Sequence, residues 1–356
     1  MNRKITLTAA AIVGIASLAA AALTTAGFSL TPKPISTNEM PGYTPFTFNA
    51  PHHGRDVLGA LYYPAAAGGR AFKMAENGVF IGVDVVEEAP IRDGEFPIVL
   101  LSHGMGGNIR SLTWLAAELA DRGAIVIAVN HPNTTWGDFD IVKGMDHWTR
   151  AQDLSVALDA ALETPLLQGH VDMSRVMAAG FSFGGWTALS LGGMTGNHAG
   201  YLNHCEVYKD ASSHCSDLLD AGAGLASVSA EQWNASYADA RVTHVFALEP
   251  GLVWGLEASN TEDLVDTVSM LSLGNGADRL LATDYDASGL AAMLPDVKME
   301  NISPATHFTG LPLCKPMGVA ILVEEDDDPV CTDPEGADRA VIHTQIIDRI
   351  AEDLGL

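Results

Sequence analysis

Gly180-Phe181-Ser182-Phe183-Gly184 restricts the fold more than any other stretch of this chain. A short apolar run, residues 176–179, leads into it, and a helix-forming run, residues 186–191, follows directly. A serine between glycines at a strand-to-helix junction sits on a sharp turn that pushes its Oγ out at the top of a sheet. Side chains at the glycine positions would collide with the crossing strand and helix. The bare motif is common by chance, so the flanking strand and helix carry the inference. The competing reading is a Gly-Ser turn with no chemistry.

The rest of the chain supplies the sheet that such a turn needs. A Pro-rich leader (Pro32, Pro34, Pro41, Pro45) precedes alternating or β-branched runs at 46–49, 57–63 and 79–86, read as opening antiparallel strands. Residues 97–101 are continuously apolar, as in a strand buried on both faces. A helix follows with Leu112, Leu115 and Leu119 on one face and a stop at Gly123. A second buried strand is expected at 124–129, then a helix over 146–162, a third strand at 176–179 and a third helix. This alternation means right-handed crossovers and an α/β fold with a mostly parallel central sheet and helices on both faces.

Residues 192–241 break the rhythm, with only Tyr201, Leu202, Leu218, Leu219 and Trp233 as notable apolar residues, and read as a lid-like insertion. Strands are expected again at 242–248, 268–273 and 297–302. A C-terminal helix from about Asp338 carries Ile342, Ile346, Ile350 and Leu354 on one stripe. The acidic run Glu324 to Asp328 reads as a solvated loop, since it lacks the ligand spacing of a calcium-binding EF-hand loop.

The 356 residues carry 19 Lys+Arg against 44 Asp+Glu, a formal charge of −25. A surface this acidic repels phosphate backbones and anionic headgroups, which excludes nucleic acid as the expected partner. The N-terminus is the exception. Arg3 and Lys4 precede an uncharged apolar stretch with the small-residue run Ala20-Ala21-Ala22, so residues 1–26 read as a secretory signal peptide. The competing reading is an uncleaved anchor. With cleavage, residues 27–356 form a periplasmic or secreted domain with no stable membrane anchor. In an oxidising compartment four cysteines imply two disulfides, and proximity pairs Cys205 with Cys215 and Cys314 with Cys331. Zinc is the rival for His204-Cys205 and His214-Cys215, but their spacing exceeds that of usual zinc ligands. No metal or cofactor is expected.

A serine hydroxyl needs a base and, behind it, an acid, in the order serine, acid, histidine. Of the histidines after Ser182, His307 lies in a loop just past the last expected strand. His343 falls within the C-terminal helix as a surface or packing residue. His307 is therefore the expected base. Asp278, beyond the strand at 268–273, is the expected acid, with Glu249, Asp284 and Asp286 as alternatives. Ser102-His103-Gly104-Met105-Gly106-Gly107 follows the first buried strand, and the N–H groups of Met105 and Phe183 are the expected oxyanion hole. His103 precedes the serine and reads as structural.

Together the segments 101–107 (LSHGMGG), 130–132 (NHP), 180–186 (GFSFGGW) and 305–308 (ATHF) resemble the serine α/β-hydrolases. They are most similar to the bacterial group related to dienelactone hydrolases and platelet-activating-factor acetylhydrolases. The resemblance runs from about residue 43 through the His307 loop. It implies the α/β-hydrolase fold and a serine esterase acting on small-molecule esters through an acyl-enzyme. Dienelactone hydrolases use a cysteine nucleophile, so lactone specificity does not carry over, and the insertion at 192–241 has no counterpart. A lipase or aliphatic polyester depolymerase is the alternative within enzymes. A non-catalytic hydrolase-fold binding protein is the alternative from another class.

Overall fold

The computed structural model describes residues 40–356; the expected signal segment lies outside them. Gly42–Ala50 (β1) and Arg55–Tyr63 (β2) form an antiparallel hairpin, and Arg70–Met74 (β3) pairs with Val83–Glu87 (β4). The run expected at 79–86 is thus a strand only from Val83. β3 was not anticipated because it closes the sheet edge, where no apolar face is required, and Arg70 and Lys73 are exposed.

The crossover units follow. Phe96–Ser102 (β5), Thr113–Arg122 (α1) and Ile125–Val129 (β6) come first, with α1 ended by Gly123 at φ +114°. A short hairpin, Thr134–Thr135 (β7) with Asp138–Phe139 (β8), and a single turn, Ile141–Gly144 (α2), lead into Trp148–Leu162 (α3). Val171–Phe181 (β9) then passes into Phe183–Leu191 (α4).

Residues 192–241 are a helical subdomain rather than a loop. His198–Tyr208 (α5), Ser213–Asp220 (α6) and Ala230–Asn234 (α7) bury Tyr201, Leu218 and Trp233 to 3% exposure or less. Tyr201 of α5 and Trp233 of α7 pack with ring centroids 5.5 Å apart, which a count along the chain does not reveal.

His244–Leu248 (β10), Thr267–Leu273 (β11), Leu290–Met293 (α8), Lys298–Ile302 (β12), Gly318–Glu325 (α9) and Arg339–Leu354 (α10) complete the chain. The acidic run expected as a loop is divided. Glu324 and Glu325 end α9, and the chain leaves the helix at Asp326, φ +53°.

The ten-stranded sheet runs β12-β11-β10-β9-β5-β6-β2-β1-β4-β3, and β5, β6, β9, β10, β11 and β12 are mutually parallel. Alternate residues feed two cores because side chains alternate across a strand. Ile98, Leu100, Ile125, Ile127, Val176 and Ala178 face α3 and α4. Val99, Leu101, Val126, Ala128, Met177 and Ala179 face α1 and α10. Both faces are covered, which is why these strands read as unbroken apolar runs. Disulfides join Cys205 to Cys215, linking α5 to α6, and Cys314 to Cys331, bracketing α9. Among the described residues no helix is long and apolar enough to cross a membrane.

On α10, Ile342, Ile346, Ile350 and Leu354 are buried as the stripe requires, and Asp338 caps the first turn through Ala340 and Val341. His343 is a packing residue. Its ring stacks on Trp114 at 3.7 Å, and its Nε2–H donates to the Thr309 carbonyl at 2.9 Å. Burial lowers its pKa to about 4, so the folded protein holds it neutral. The unfolded chain takes up this proton near pH 6.5 and the folded one does not. Stability is therefore intact above about pH 6.5 and is lost as pH falls from there towards 4. Urea unfolding at pH 7 and 4.5 should show this loss, and His343→Gln should reduce it by on the order of 2 kcal/mol. An unchanged pH dependence in the variant would refute the assignment.

Candidate active site

β9 delivers Ser182 at its C-terminal end, and α4 starts one residue later. Ser182 has φ +59° and ψ −122°, a conformation that costs a non-glycine residue about 1–3 kcal/mol. Surrounding bonds hold it there: its N–H donates to the Leu248 carbonyl and its carbonyl accepts from Gly251, both at 2.9 Å. The flanking glycines are dictated by contact with β5. A Cβ on Gly184 would lie 2.1 Å from the Ser102 carbonyl oxygen, and one on Gly180 would lie 2.1 Å from the Gly184 oxygen.

His307 opens a 3₁₀ turn, His307–Gly310, and its Nε2 lies 3.1 Å from Ser182 Oγ. Its ring stacks on Phe181 at 4.7 Å. Behind it, Nδ1 lies 2.9 Å from Oε2 of Glu249, not of Asp278. Glu249 directly follows β10, is fully buried and has φ +50°. Its carboxylate also accepts from Thr283 Oγ1 at 2.9 Å, the Leu273 N–H at 2.7 Å and Arg279 Nη1 at 2.8 Å.

The expectation of Asp278 as the His307 partner is therefore corrected. Asp278 is exposed on the 3₁₀ turn Gly276–Asp278, one strand further from β9, while its neighbour Arg279 turns inward to Glu249. Asp284 accepts from Asp286 and Ala287 within its own turn, and Asp286 is exposed. The usable signal in the sequence was an acid abutting a buried apolar run, in Leu248-Glu249-Pro250. A carboxylate in that place must be paired.

Met105 lies in the loop after β5 and Phe183 at the first turn of α4. Among the described residues, no hydrogen bond within the chain uses either N–H. The neighbouring donors are occupied, Gly106 by the Thr134 carbonyl and Gly107 by the Gly104 carbonyl. His103 braces this loop. Its Nδ1 bonds the Gly104 carbonyl at 2.7 Å, and its Nε2 lies 3.2 Å from both the His131 N–H and Thr135 Oγ1. Burial first, then the nearby Arg150 charge, hold its pKa well below the ordinary histidine value.

A buried polar cluster that the sequence did not announce underlies the turn. Arg150, 1% exposed, donates to Thr187 Oγ1 and Ser102 Oγ, each at 3.0 Å, and to Thr134 Oγ1 and the His103 carbonyl. Its guanidinium also lies 4.9 Å from the Phe183 ring centroid. Burial brings its pKa down to about 9, which leaves it charged at neutral pH. Ser102 Oγ continues to His131 at 2.9 Å, and His131 to Asp153 at 2.9 Å. From the helical subdomain, His214 reaches the Phe183 ring, with centroids 5.4 Å apart, and burial lowers its pKa to about 4.

A solved ferulic acid esterase from Streptomyces cinnamoneus has a similar fold. It aligns with a TM-score of 0.57 over 91% of each chain at 18% identity. The chain shares that protein's fold. The sequence profile of platelet-activating factor acetylhydrolase, isoform II, matches residues 63–136, which hold β5 and the loop with Met105. Two cutinases of Thermobifida alba are each 31% identical over 104 residues, spanning 29% of this chain. The match spans about a third, 32%, of the length of these curated relatives. The α/β-hydrolase fold expected from the motifs thus stands.

Arg150 is the member of this site whose removal tests the scaffold rather than the chemistry. Arg150→Met strands the His103 carbonyl and several hydroxyls in a dry interior. It should lower unfolding free energy by about 3 kcal/mol or more, read from the urea midpoint. A loss under about 1 kcal/mol would show that the cluster is not structural.

Proposed function

We propose that this protein is an exported serine esterase that cleaves carboxylic esters through an acyl-enzyme. The observation that carries the reading is the hydrogen-bonded series Ser182–His307–Glu249 at the tip of β9. Ser182 Oγ attacks the ester carbonyl carbon as its proton passes to His307 Nε2. The carbonyl oxygen becomes an oxyanion, which the N–H groups of Met105 and Phe183 stabilise; the start of α4 adds its dipole. Collapse breaks the bond to the alcohol, which takes the proton from His307. Water then attacks the acyl group, His307 again removing and returning the proton. Glu249 holds the Nδ1–H tautomer and stabilises the imidazolium in both halves.

The partial matches to cutinases support ester chemistry, and the two disulfides suit an oxidising compartment outside the cytoplasm. Small soluble esters are the proposed substrates. A polyester depolymerase is the second reading, favoured by Trp136 and Phe139. Both are over half exposed, and the Trp136 N–H bonds the Gly107 carbonyl of the oxyanion loop.

The test is hydrolysis of p-nitrophenyl esters from C2 to C12. Activity should peak at short chains and vanish in Ser182→Ala, and a fluorophosphonate should label Ser182. No turnover and no labelling would leave a non-catalytic binding protein. Glu249→Gln should lower kcat by about 10²–10⁴-fold, with Asp278→Asn within twofold of wild type. The reverse order would return the acid role to Asp278. Loss of polyester-film hydrolysis in Trp136→Ala, with soluble esters unaffected, would favour the depolymerase.

A further inference from the structure

We infer that His52, His53 and Asp153 form a binding site for one divalent transition-metal ion, separate from the Ser182 centre. The two histidines occupy the turn between β1 and β2, and Asp153 lies on α3, 101 residues after His52. Asp153 is fully buried, and its Oδ1 lies 2.8 Å from His52 Nε2 and 3.1 Å from His53 Nε2. One donor atom from each residue falls within 4.8 Å of the other two.

The His52 contact alone reads as an ordinary hydrogen bond. His53, its side chain only 7% exposed, brings a second imidazole nitrogen to the same buried carboxylate oxygen. Two imidazole nitrogens converging on one buried carboxylate is an arrangement that a shared ion satisfies.

The spacing and chemistry agree. Tetrahedral donors at 2.0–2.2 Å from an ion stand roughly 3.3–3.6 Å apart, so the 2.8 and 3.1 Å contacts here need to open by only about 0.5 Å to admit one. Two imidazole nitrogens and one carboxylate oxygen suit zinc and its first-row neighbours, whereas calcium and magnesium prefer all-oxygen sets. The other carboxylate oxygen of Asp153 accepts from His131 Nδ1, the kind of outer contact that fixes a ligand's orientation. A depression of about 350 Å³ bordered by Pro51, His52, Gln152 and Tyr237 gives an ion and its remaining water ligands a way in. The separation of the ligands along the chain hides the set from any spacing rule.

Bound there, the ion would pin the β1–β2 turn to α3. It would also load the far end of the series Asp153–His131–Ser102 that reaches the oxyanion loop. The protein, stripped with a chelator and dialysed, is titrated with Zn²⁺ by calorimetry. One equivalent should bind, and a hundredfold excess over Kd should raise Tm by about 4 °C. His52→Gln and His53→Gln, each checked by circular dichroism, should weaken binding at least tenfold and abolish the Tm shift; either one suffices if the other does not fold. Co²⁺ should give visible absorption bands that the variants lack. No binding to the wild type overturns the inference, as does equal binding by wild type and a folded variant. Neither result depends on ester hydrolysis.

Discussion

The turn between β9 and α4 lies against the end of β5 with no side chain between them. Gly180 and Gly184 permit this by leaving the Ser102 carbonyl uncovered at a distance no Cβ tolerates. Much else follows from that approach. It fixes Ser182 in its strained conformation and brings Gly104, at the start of the loop after β5, against the serine. It also buries Ser102 and His103 beneath the turn. Polar groups enclosed in this way must be satisfied, and Arg150 reaches across from α3 to do so. The buried cation is thus a consequence of the close approach rather than an independent feature.

Glu249 shows how a second strain is held. A carboxylate with no exposed surface is unfavourable unless several donors meet it, and four do: His307, Arg279, Thr283 and the Leu273 N–H. Three of the four come from β11 and the loop behind it. That loop contributes by holding the acid rather than by supplying one. The extra methylene of glutamate lets a residue at the end of the nearer strand span the distance to His307.

Features of the site set by local sequence were legible in advance. The glycines about Ser182 announce a turn, the apolar runs announce doubly covered strands, and the isoleucines of α10 announce its inner face. Features set by long-range convergence were not. Asp278 was the favoured acid because the loop after 268–273 follows the strand next in line, and nothing local says that Arg279 faces inward while Asp278 faces water. Glu249 carried a signal of its own, an acid set against a buried strand, but one that shared no motif with Ser182. The helical subdomain was read only as a lid-like insertion because Tyr201 and Trp233 meet only after α5 and α7 fold. The Arg150 and Asp153 cluster resembles an ordinary charged helix face in the sequence, and only burial reveals it.

The Cys205–Cys215 bond ties α5 to α6 at the residue beside His214, which in turn packs against Phe183. The two helices beside Phe183 are therefore joined to each other covalently and cannot peel away one by one. Whatever motion this part of the chain makes, α5 and α6 make it together.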